Sequence, residues 1–513
     1  MKNKKGFTLI ELLAVIIILA VIALIATPIV LNVVDNARKS ANKDSAYGLL
    51  DSAKLYYMES LLDESKSLSG NLIDKINVSG RKPNSGTVYI NNKGEIALSV
   101  VYDKVCFTKN YEDTDLTESD DIENCIVTVP RELYKDSVLN GADPELKDNL
   151  VAVTINTDGT VKKADIYSEW YNYTNKIWAN AVLLNGNDTY SAGDTIIEDA
   201  IKAYYVWIPR YKYQIFYDGV NATSKQLINI EFENRDTTKS TSTTKDSWLT
   251  HPAFTFGDTE LNGIWVGKFE LTGDTTNPTI KPNVTSLRNE NVSTLFATTQ
   301  KLSSNSSMMK NMEWGAIAYL TTSVYGQGLI EVRINNSSPY TTGCAASVEN
   351  GSHYRGCENK YYTPIGVLAS TTGNISGIYD MSGGAWEYVM GVMEDSLNSN
   401  TPSSGENAQY NSGFRGKTTG KVANITGVAF PESKYYDIYK YGTNLTDSTR
   451  YNLGDATTEV KGWNSDFTYF INSSNPWFIR GGSDVSGINA GLFSYSIDRG
   501  CVNTSNSTRV VLR

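Results

Sequence analysis

One long apolar segment near the N-terminus constrains the fold of this chain more than any other feature. Residues 7–31 are almost wholly apolar, and as an α-helix they could cross a hydrocarbon core of about 30 Å. Lys2, Lys4 and Lys5 precede the segment, and a positive flank of this kind predicts a cytoplasmic N-terminus. The sequence therefore predicts a single membrane-spanning helix, with the C-terminal part outside the cell.

One acidic residue, Glu11, interrupts the apolar segment. A carboxylate at membrane depth costs about 2.5 to 3.5 kcal/mol on insertion scales, so it needs a partner. The surrounding residues, Gly6-Phe7-Thr8-Leu9-Ile10-Glu11, resemble the cleavage and methylation motif of type IV prepilins. The resemblance implies that a prepilin peptidase cuts after Gly6 and that Phe7 becomes the methylated N-terminus. It also implies that Glu11 meets the N-terminal amine of a neighbouring pilin subunit during assembly.

A secretory signal peptide and a plain signal anchor are the alternatives to a prepilin leader. A signal peptide should end in a small-residue cleavage site after a short apolar core. Here the polar-to-apolar junction lies at Gly6, and the apolar stretch continues without a break. The pattern therefore favours a leader over residues 1–6 and a continuous membrane and stem helix over 7–62.

The residues after the stem change to a strand pattern. Short runs of β-branched and aromatic residues, such as 87–90 and 96–102, alternate with turn residues. A long helix followed by a small antiparallel sheet is the plan of the type IV pilins. The sequence therefore predicts a pilin-like β head over residues 63–165.

Charge and histidine content exclude several classes of function. The formal net charge is −10, so the chain lacks the broad basic surface that binds phosphates, and no nucleic acid partner is expected. His251 and His353 are the only histidines, which leaves little material for imidazole-rich metal sites or histidine-based triads.

The five cysteines have a spacing compatible with two short-loop disulfides in an extracellular protein. Cys106 would pair with Cys125, and Cys344 with Cys357, which leaves Cys501 as a single thiol. The first bridge would fasten an acidic, solvated loop to the sheet of the β head.

Residues 166–513 form a second predicted head. From about residue 167 the composition is rich in Tyr, Trp, Asn, Ser, Thr and Gly, which predicts short strands and polar loops. Five segments of this head, in order, are 264–272, 314–319, 377–389, 478–483 and 508–511. Together they resemble the family of the formylglycine-generating enzyme and sulfatase-modifying factors, whose fold is a variant of the C-type lectin fold. The resemblance covers about residues 204–513.

Segment 377–389, which reads GIYDMSGGAWEYV, carries the most specific part of this resemblance. It departs from the family pattern at Gly384, where asparagine is usual, and at Tyr388, where tryptophan is usual. The resemblance implies a calcium site formed by the side chains of Asp380 and Glu387 with carbonyl groups near Gly383 and Ala385. Oxygen donors on a tight glycine turn suit such a hard cation, so calcium is the candidate cofactor.

A purely structural role is the alternative for the same residues. In it, Asp380 caps the turn, and Glu387 pairs with a nearby cation or backbone donor. The oxidase activity of the family's name-giving enzyme is not expected in either case. That activity needs a reactive cysteine pair between residue 480 and the end of the fold, where this chain has only Cys501. The sequence therefore predicts no enzymatic activity.

The segment from 483 to 507 is the predicted ligand-binding surface. Its Asp, Ser, Asn, Tyr and Ile residues combine adaptable hydrogen bonding with aromatic anchors. It also resembles the variable C-terminal segment of lectin-fold proteins that are diversified by retroelements. An ordinary solvated loop is the alternative. The candidate ligand residues are Asp484, Ser486, Asn489, Phe493, Tyr495, Asp498, Arg499, Asn503, Ser505 and Asn506.

These observations predict an α+β protein with two parts. A long α-helical pilin stem with a small antiparallel β head is followed by a lectin-like, mixed α+β domain. The expected function is a non-catalytic cell-surface adhesin, which joins a pilus through other pilin subunits and binds an extracellular protein or glycan. A structural pseudopilin of a secretion or uptake machine, and a membrane-tethered enzyme of the sulfatase-modifying type, are the alternatives.

Overall fold

A computed structural model describes the chain from residue 8 to residue 513, with gaps. The gaps are 64–65, 67, 69, 79, 92, 128–131, 148, 218–223, 243, 245, 346–353, 394–411, 416, 419–420, 423–427, 441–450 and 473. The chain divides into two compact units, Met1–Glu132 and Leu133–Arg513.

Unit 1 begins with a single helix, α1 (Leu9–Ser60), which is long enough and apolar enough to cross a membrane. Thr8 caps the helix, and Pro28 lies within it. The apolar side chains from Leu9 to Val34 are exposed. Burial begins further along the helix, where Ala46, Leu49, Leu50 and Ala53 pack into the core of unit 1.

The rest of unit 1 is a four-stranded antiparallel sheet. Its strands, in spatial order, are β1 (Ser85–Ile90), β2 (Ile96–Tyr102), β3 (Val105–Lys109) and β4 (Thr117–Ser119). Val88, Leu98 and Phe107 from this sheet are fully buried in the same core as the second half of α1. Cys106 and Cys125 form a disulfide, which ties β3 to the segment that follows β4.

The boundary between the units differs from the predicted one. The sequence pattern placed the end of the β head at residue 165, whereas unit 1 ends at Glu132. The reason is that residues 150–155 and 161–163 form strands that pair with one another, and the first of them also pairs with the strand at 180–184. Hydrogen bonds over this distance in sequence are not visible in local periodicity, and the strand pattern alone therefore extends the β head to residue 165.

An eight-stranded sheet, antiparallel throughout, is the larger layer of unit 2. Its strands, in chain order, are β5 (Leu150–Ile155), β6 (Val161–Lys163), β7 (Asn180–Leu184), β8 (Thr195–Ile196), β9 (Ile201–Pro209), β10 (Gly263–Gly267), β11 (Ser306–Met308) and, at the C-terminus, β17 (Val510–Leu512). The spatial order is β11-β17-β10-β9-β7-β5-β6-β8. The last strand of the chain therefore lies between two others, inside the sheet.

A five-stranded sheet supports the predicted ligand segment. Its strands are β12 (Trp386–Met393), β13 (Asp437–Tyr439), β14 (Trp477–Gly481), β15 (Gly491–Asp498) and β16 (Asn506–Thr508). The order is β13-β12-β14-β15, and β16 pairs with β12 in parallel. Helices α2 (Val292–Thr299) and α3 (Asn311–Thr321) also belong to unit 2.

The other strands in the described part of unit 2 are short and lie mostly in local pairs. They are Tyr211–Gln214, Asn229–Phe232, Leu249–Thr250, Thr255–Phe256, Thr259–Glu260, Thr272–Gly273, Pro278–Thr279, Ser337–Ser338, Cys344–Ala345, Tyr354–Arg355, Asn359–Lys360, Phe414–Arg415, Lys417–Thr418, Lys421–Val422 and Val428–Ala429. A disulfide joins Cys344 to Cys357. The described part of the chain is thus a long helix followed by mostly β structure, in the α+β layout that the sequence predicts.

Candidate functional site

The predicted ligand segment connects three strands of the five-stranded sheet. It leaves β14, makes a short turn at Gly487–Asn489, forms β15, and returns through a loop at 499–505 to β16. Gly482 begins the segment with φ +82°, and a Cβ there would lie 2.6 Å from the Cα of Ala490. Glycine is therefore required at 482, because no side chain fits between the two backbones.

The structure separates the ten candidate residues into three groups by exposure. Asn489 and Arg499 are exposed, and Ser486, Asp498, Asn503 and Ser505 are half-buried. Asp484, Phe493, Tyr495 and Asn506 are buried, so these four cannot touch a ligand directly in this conformation.

Burial of β15 places two of the candidate aromatic residues in the interior of unit 2. The first five residues of this strand are buried, whichever face they point to. Phe493 packs edge-on against Trp463, with ring centroids 5.2 Å apart, and Tyr495 packs against Phe478 at 6.0 Å. Both rings stabilise the interior of unit 2 and are not anchors for a partner.

A hydrogen-bond network centred on Asp498 fixes the loop at 499–505. The Asp498 carboxylate accepts the Tyr388 hydroxyl at 2.5 Å and the Gly500 N–H at 2.8 Å. The side-chain amides of Asn503 and Asn506 donate to its other oxygen, each at 3.3 Å. Because a charged acceptor holds four donors, the loop has a defined conformation before any ligand arrives.

Backbone hydrogen bonds from the segment before α2 hold the same loop from another side. Asn289 N–H donates to the Asn503 carbonyl at 2.9 Å, and Val292 N–H donates to the Gly500 carbonyl at 3.1 Å. Arg288 donates to the carbonyl of Thr504. The loop is therefore fastened to the body of unit 2 along most of its length.

Exposed apolar residues at this surface were missing from the candidate set. Val485, Ile488 and Val502 are each more than half exposed. Phe467 and Tyr469 are also exposed, and their backbones pair with the predicted segment through N–H bonds to the carbonyls of Asn489 and Tyr495. In the sequence, an apolar residue within a run of polar residues is the signal that could have identified these positions. A surface that mixes exposed apolar side chains with amides and a cation is suited to binding another molecule.

The predicted calcium residues lie together in the interior of unit 2, where Glu387 pairs with Arg509. Arg509 donates to the two oxygens of Glu387, at 3.0 Å from Nε and 2.5 Å from Nη2. It also donates to the carbonyls of Gly267 and Tyr379, at 2.8 and 2.9 Å. Burial raises the pKa of Glu387, and the guanidinium acts against that rise.

Asp380 and its glycine turn are likewise held by donors of the protein. Both oxygens of Asp380 lie within 3.1 Å of the Gly343 N–H, and Asn335 donates to one of them at 2.7 Å. Gly383 N–H donates to the Gly481 carbonyl at 3.0 Å. Burial raises the pKa of Asp380 to about 6, and Arg509 opposes the rise.

A third carboxyl, Glu270, joins this cluster and explains the departure at Gly384. Glu270 Oε1 accepts the N–H of Ala385 at 2.7 Å, and a Cβ at Gly384 would lie 2.5 Å from the same oxygen. Burial and the neighbouring Asp380 raise the pKa of Glu270 well above its ordinary value.

The four predicted calcium residues, in this arrangement, do not fit a calcium ion. The oxygens of Glu387 face a guanidinium, and those of Asp380 accept N–H groups, so the charges that would bind a cation are used within the fold. In the part of the chain that the structure describes, no three His, Cys, Asp or Glu side chains form a group that could hold a metal. The hydrogen bonds match the structural alternative for both carboxylates.

The cysteines also have structural positions. The two predicted disulfides are present, and Cys501 is a half-buried free thiol in the 499–505 loop. Burial raises the pKa of the Cys501 thiol, whereas a reactive cysteine requires a lowered pKa.

The N-terminal processing residues Gly6 and Phe7 lie outside the described residues, but Glu11 lies within them. Its carboxylate accepts the backbone N–H and the hydroxyl of Thr8, both at 2.9 Å, and Thr8 accepts the Glu11 N–H at 3.3 Å. This capping box places the acid at the helix N-terminus, where the helix dipole favours negative charge. The same end of the helix would carry the new N-terminus after cleavage at Gly6.

Comparison with known proteins identifies this end of the chain. The family described as the prokaryotic N-terminal methylation motif matches residues 1–27. No curated protein matches the chain. The chain thus has a prepilin-type N-terminus on a long apolar helix, as a type IV pilin-like or pseudopilin-like surface protein does. The motif implies processing by a prepilin peptidase and assembly with other pilins in a membrane machine.

Proposed function

We propose that this protein is a pilus-associated adhesin whose C-terminal unit binds an extracellular protein or glycan without catalysing a reaction. The match to the methylation motif over residues 1–27 is the observation that carries the proposal. It provides a route to the cell surface, and α1 has the length and composition of a membrane span. Unit 2 (Leu133–Arg513) is far larger than a pilin stem requires, so its size is compatible with a separate binding function.

Spatial proximity of the five resembling segments supports a lectin-like fold for unit 2. Strands β10 and β17 pair, with Trp265 opposite Leu512. Strands β12 and β14 pair, with Glu387 opposite Arg480. Trp314 of α3 donates its indole N–H to the Leu492 carbonyl at the start of β15. Segments that are distant in sequence thus form one core, as members of a single domain family would.

The proposed ligand face is smaller than the one that the sequence predicts. It consists of the exposed or half-buried residues Ser486, Asn489, Arg499, Asn503 and Ser505, together with Val485, Ile488 and Val502. A rigid loop that presents amides, a guanidinium and apolar side chains loses little conformational entropy on binding. This is the physical reason to place the ligand here.

The first experiment tests the route to the surface. Replacing Gly6 by valine should leave an uncut precursor in the membrane, because the peptidase would no longer meet glycine at the cleavage point. Mass spectrometry of the N-terminus reads the result, and Thr117→Val, at an exposed strand position of unit 1, is the control. Normal cleavage of the Gly6 variant would overturn the prepilin assignment.

The second experiment tests the ligand face. The full chain, solubilised in detergent, is applied to arrays of extracellular-matrix proteins and glycans, and compared with a variant that combines N489A, R499A and N503A. Binding that is present in the wild type and at least tenfold weaker in the variant supports the proposal. Equal binding by the wild type and the variant would show that the ligand does not bind at this surface. The alternative is tested by deleting the protein. If the deletion abolishes secretion or DNA uptake and leaves adhesion normal, a structural pseudopilin is favoured.

A further inference from the structure

Unit 2 contains a cavity that is built by residues outside the proposed ligand face. Its volume is about 250 Å³, and its lining comes from residues 133–146, 166–171 and Asn262. None of these residues belongs to the segment at 483–507. The lining combines aromatic rings with a small number of polar groups, which is the usual composition of a site for a small ligand.

Asp143 lines the cavity, and only one of its carboxylate oxygens has hydrogen-bond donors among the described residues. Its Oδ1 accepts the Tyr171 hydroxyl at 2.7 Å and the Asp136 N–H at 2.9 Å. No hydrogen bond to Oδ2 occurs among the described residues. Burial raises the pKa of Asp143, and its hydrogen bonds with Tyr171 and Asp136 act against that rise. A hydroxyl donor from a ligand would supply the missing hydrogen bond.

Trp170 is a second residue of the lining that carries a polar group. This residue lines the cavity and is only 8% exposed, and no hydrogen bond of its indole N–H is formed with the described residues. Its ring packs edge-on against Tyr171 with centroids 4.9 Å apart, and Tyr134 packs against the same tyrosine at 5.1 Å. The three rings hold one another in place, so the walls of the cavity are preformed.

The charges around the cavity favour a neutral ligand. Glu145 also lines it, but this acid pairs with Lys147 at 2.7 Å and with Arg235 at 3.3 Å. Lys135 lies in the lining too, and it would repel a cation. A cation could interact with Asp143 and the rings, yet it could not accept a hydrogen bond from Trp170.

From this arrangement we propose that the cavity binds a single saccharide ring. A sugar hydroxyl can donate to Asp143 Oδ2 and accept from the Trp170 indole, since a hydroxyl group does both. The apolar C–H face of the ring can pack against the aromatic walls, and a hexose is small enough for a cavity of about 250 Å³. The unit would therefore carry a glycan subsite that is separate from the face at 483–507.

The test uses the full chain in a polyoxyethylene detergent, which has no sugar or ammonium headgroup. Saturation-transfer difference NMR is recorded with the methyl glycosides of glucose, galactose, mannose and N-acetylglucosamine. Saturation of the ring C–H protons of at least one glycoside, with a millimolar Kd, is expected for a ligand of this size. Propylammonium is the competing probe.

Two substitutions locate the signal. Asp143→Asn keeps Oδ1 as the acceptor for Tyr171 and replaces Oδ2 by a donor, so the Kd should rise at least fivefold, and Trp170→Phe should act in the same direction. Asp188→Asn, at an exposed aspartate of the same unit, is the matched control and should leave the Kd unchanged. The proposal is wrong if no glycoside receives saturation, if Asp143→Asn binds like the wild type, or if propylammonium binds in preference.

Discussion

The N-terminal half of α1 and the interior of unit 2 depart from the usual distribution of side chains in opposite ways. The helix exposes apolar residues from Leu9 to Val34, whereas unit 2 completely buries the charged side chains of Lys268, Arg480 and Arg509. The two regions differ in where their contacts are made. The exposed apolar side chains can be covered only by lipid or by neighbouring subunits, whereas the buried cationic side chains form hydrogen bonds within unit 2.

Arg480 illustrates the second solution. Its guanidinium donates to Asn311 Oδ1 at 2.7 Å and to the carbonyls of Asp455 and Ala456, both at 3.0 Å. Lys268 donates in the same way to Asn180 and to the carbonyls of Ile375 and Gly377. Such networks add little net stability when complete, but they make the fold intolerant of losing one member.

Removing Arg509 should have the largest effect on stability. Arg509→Met keeps most of the side-chain volume but leaves Glu387 buried without its cation, which should lower the free energy of unfolding of unit 2 by about 3 to 5 kcal/mol. Urea unfolding followed by tryptophan fluorescence measures the loss. Arg499→Met, at an exposed arginine ten residues earlier, should change stability by less than about 0.5 kcal/mol. Equal effects would contradict the contrast between buried and exposed charge.

Acid should destabilise unit 2 through His251. This residue is fully buried, and burial lowers its pKa from 6.5 to about 3. The unfolded chain therefore takes up a proton first as the pH falls, so this contribution to stability is lost from about pH 6.5 downwards. Between pH 7 and pH 4.5 the wild type should lose about 2.5 kcal/mol more than His251→Gln does.

The glutamine variant isolates the histidine from other groups. Asp380 and Asp455 have pKa values raised to about 6, and acid therefore stabilises the fold through them, in both proteins alike. Urea unfolding at several pH values gives the slope of the free energy of unfolding against pH for the wild type and for His251→Gln. Parallel pH profiles for the wild type and the variant would show that His251 is accessible to protons in the folded state.

Loss of the Tyr388 hydroxyl should loosen the loop at 499–505. Tyr388→Phe removes the hydrogen bonds to Asp498 and to the Cys501 carbonyl, at a cost of about 1.5 kcal/mol for a bond to a charged group. Hydrogen exchange should accelerate at 499–503 and stay unchanged in β14. Tyr469→Phe, at an exposed tyrosine, is the control, and unchanged exchange in the Tyr388 variant would mean that the loop is held by its backbone bonds alone.

Substitution of Glu11 tests whether the exposed N-terminal half of α1 finds its partners in neighbouring subunits. Glu11→Val should reduce incorporation into pili about tenfold, because a polar contact between membrane helices contributes about 1 to 2 kcal/mol. Cleavage after Gly6 should continue, so processed monomer should accumulate in the membrane. Leu12→Val provides the matched control on the same helix. Immunoblots of sheared pili and of membranes give the two amounts, and normal incorporation of the Glu11 variant would exclude an assembly role.

Features that depend on neighbouring residues could be predicted from the sequence. The membrane helix follows from one apolar run, and the strands β1 to β3 follow from alternation and turns. Apolar residues at helical spacing between Met308 and Leu320 predict an internal helix, and α3 occupies Asn311–Thr321. In each case the signal spans fewer than thirty residues.

Features that depend on distant contacts could not be predicted in the same way. Glu387 and Arg509 are 122 positions apart, and local patterns do not reveal that they pair. The polar and aromatic residues of β15 look like a surface loop in sequence, yet the packing of Trp463 and Phe478 encloses Phe493 and Tyr495. The composition of 483–507 therefore predicted a plausible face, but not which residues point outwards.

The position of β17 has a consequence for the order in which unit 2 can fold. Strand β17 lies between β10 and β11, and Arg513 after it pairs with Glu313 of α3. Because both neighbours lie far earlier in the sequence, β10 and β11 cannot join one sheet until residues 510–512 have paired with each of them. Pairing between strands so distant in sequence is intrinsically slow. Closure of the eight-stranded sheet should therefore be a late step in the folding of unit 2.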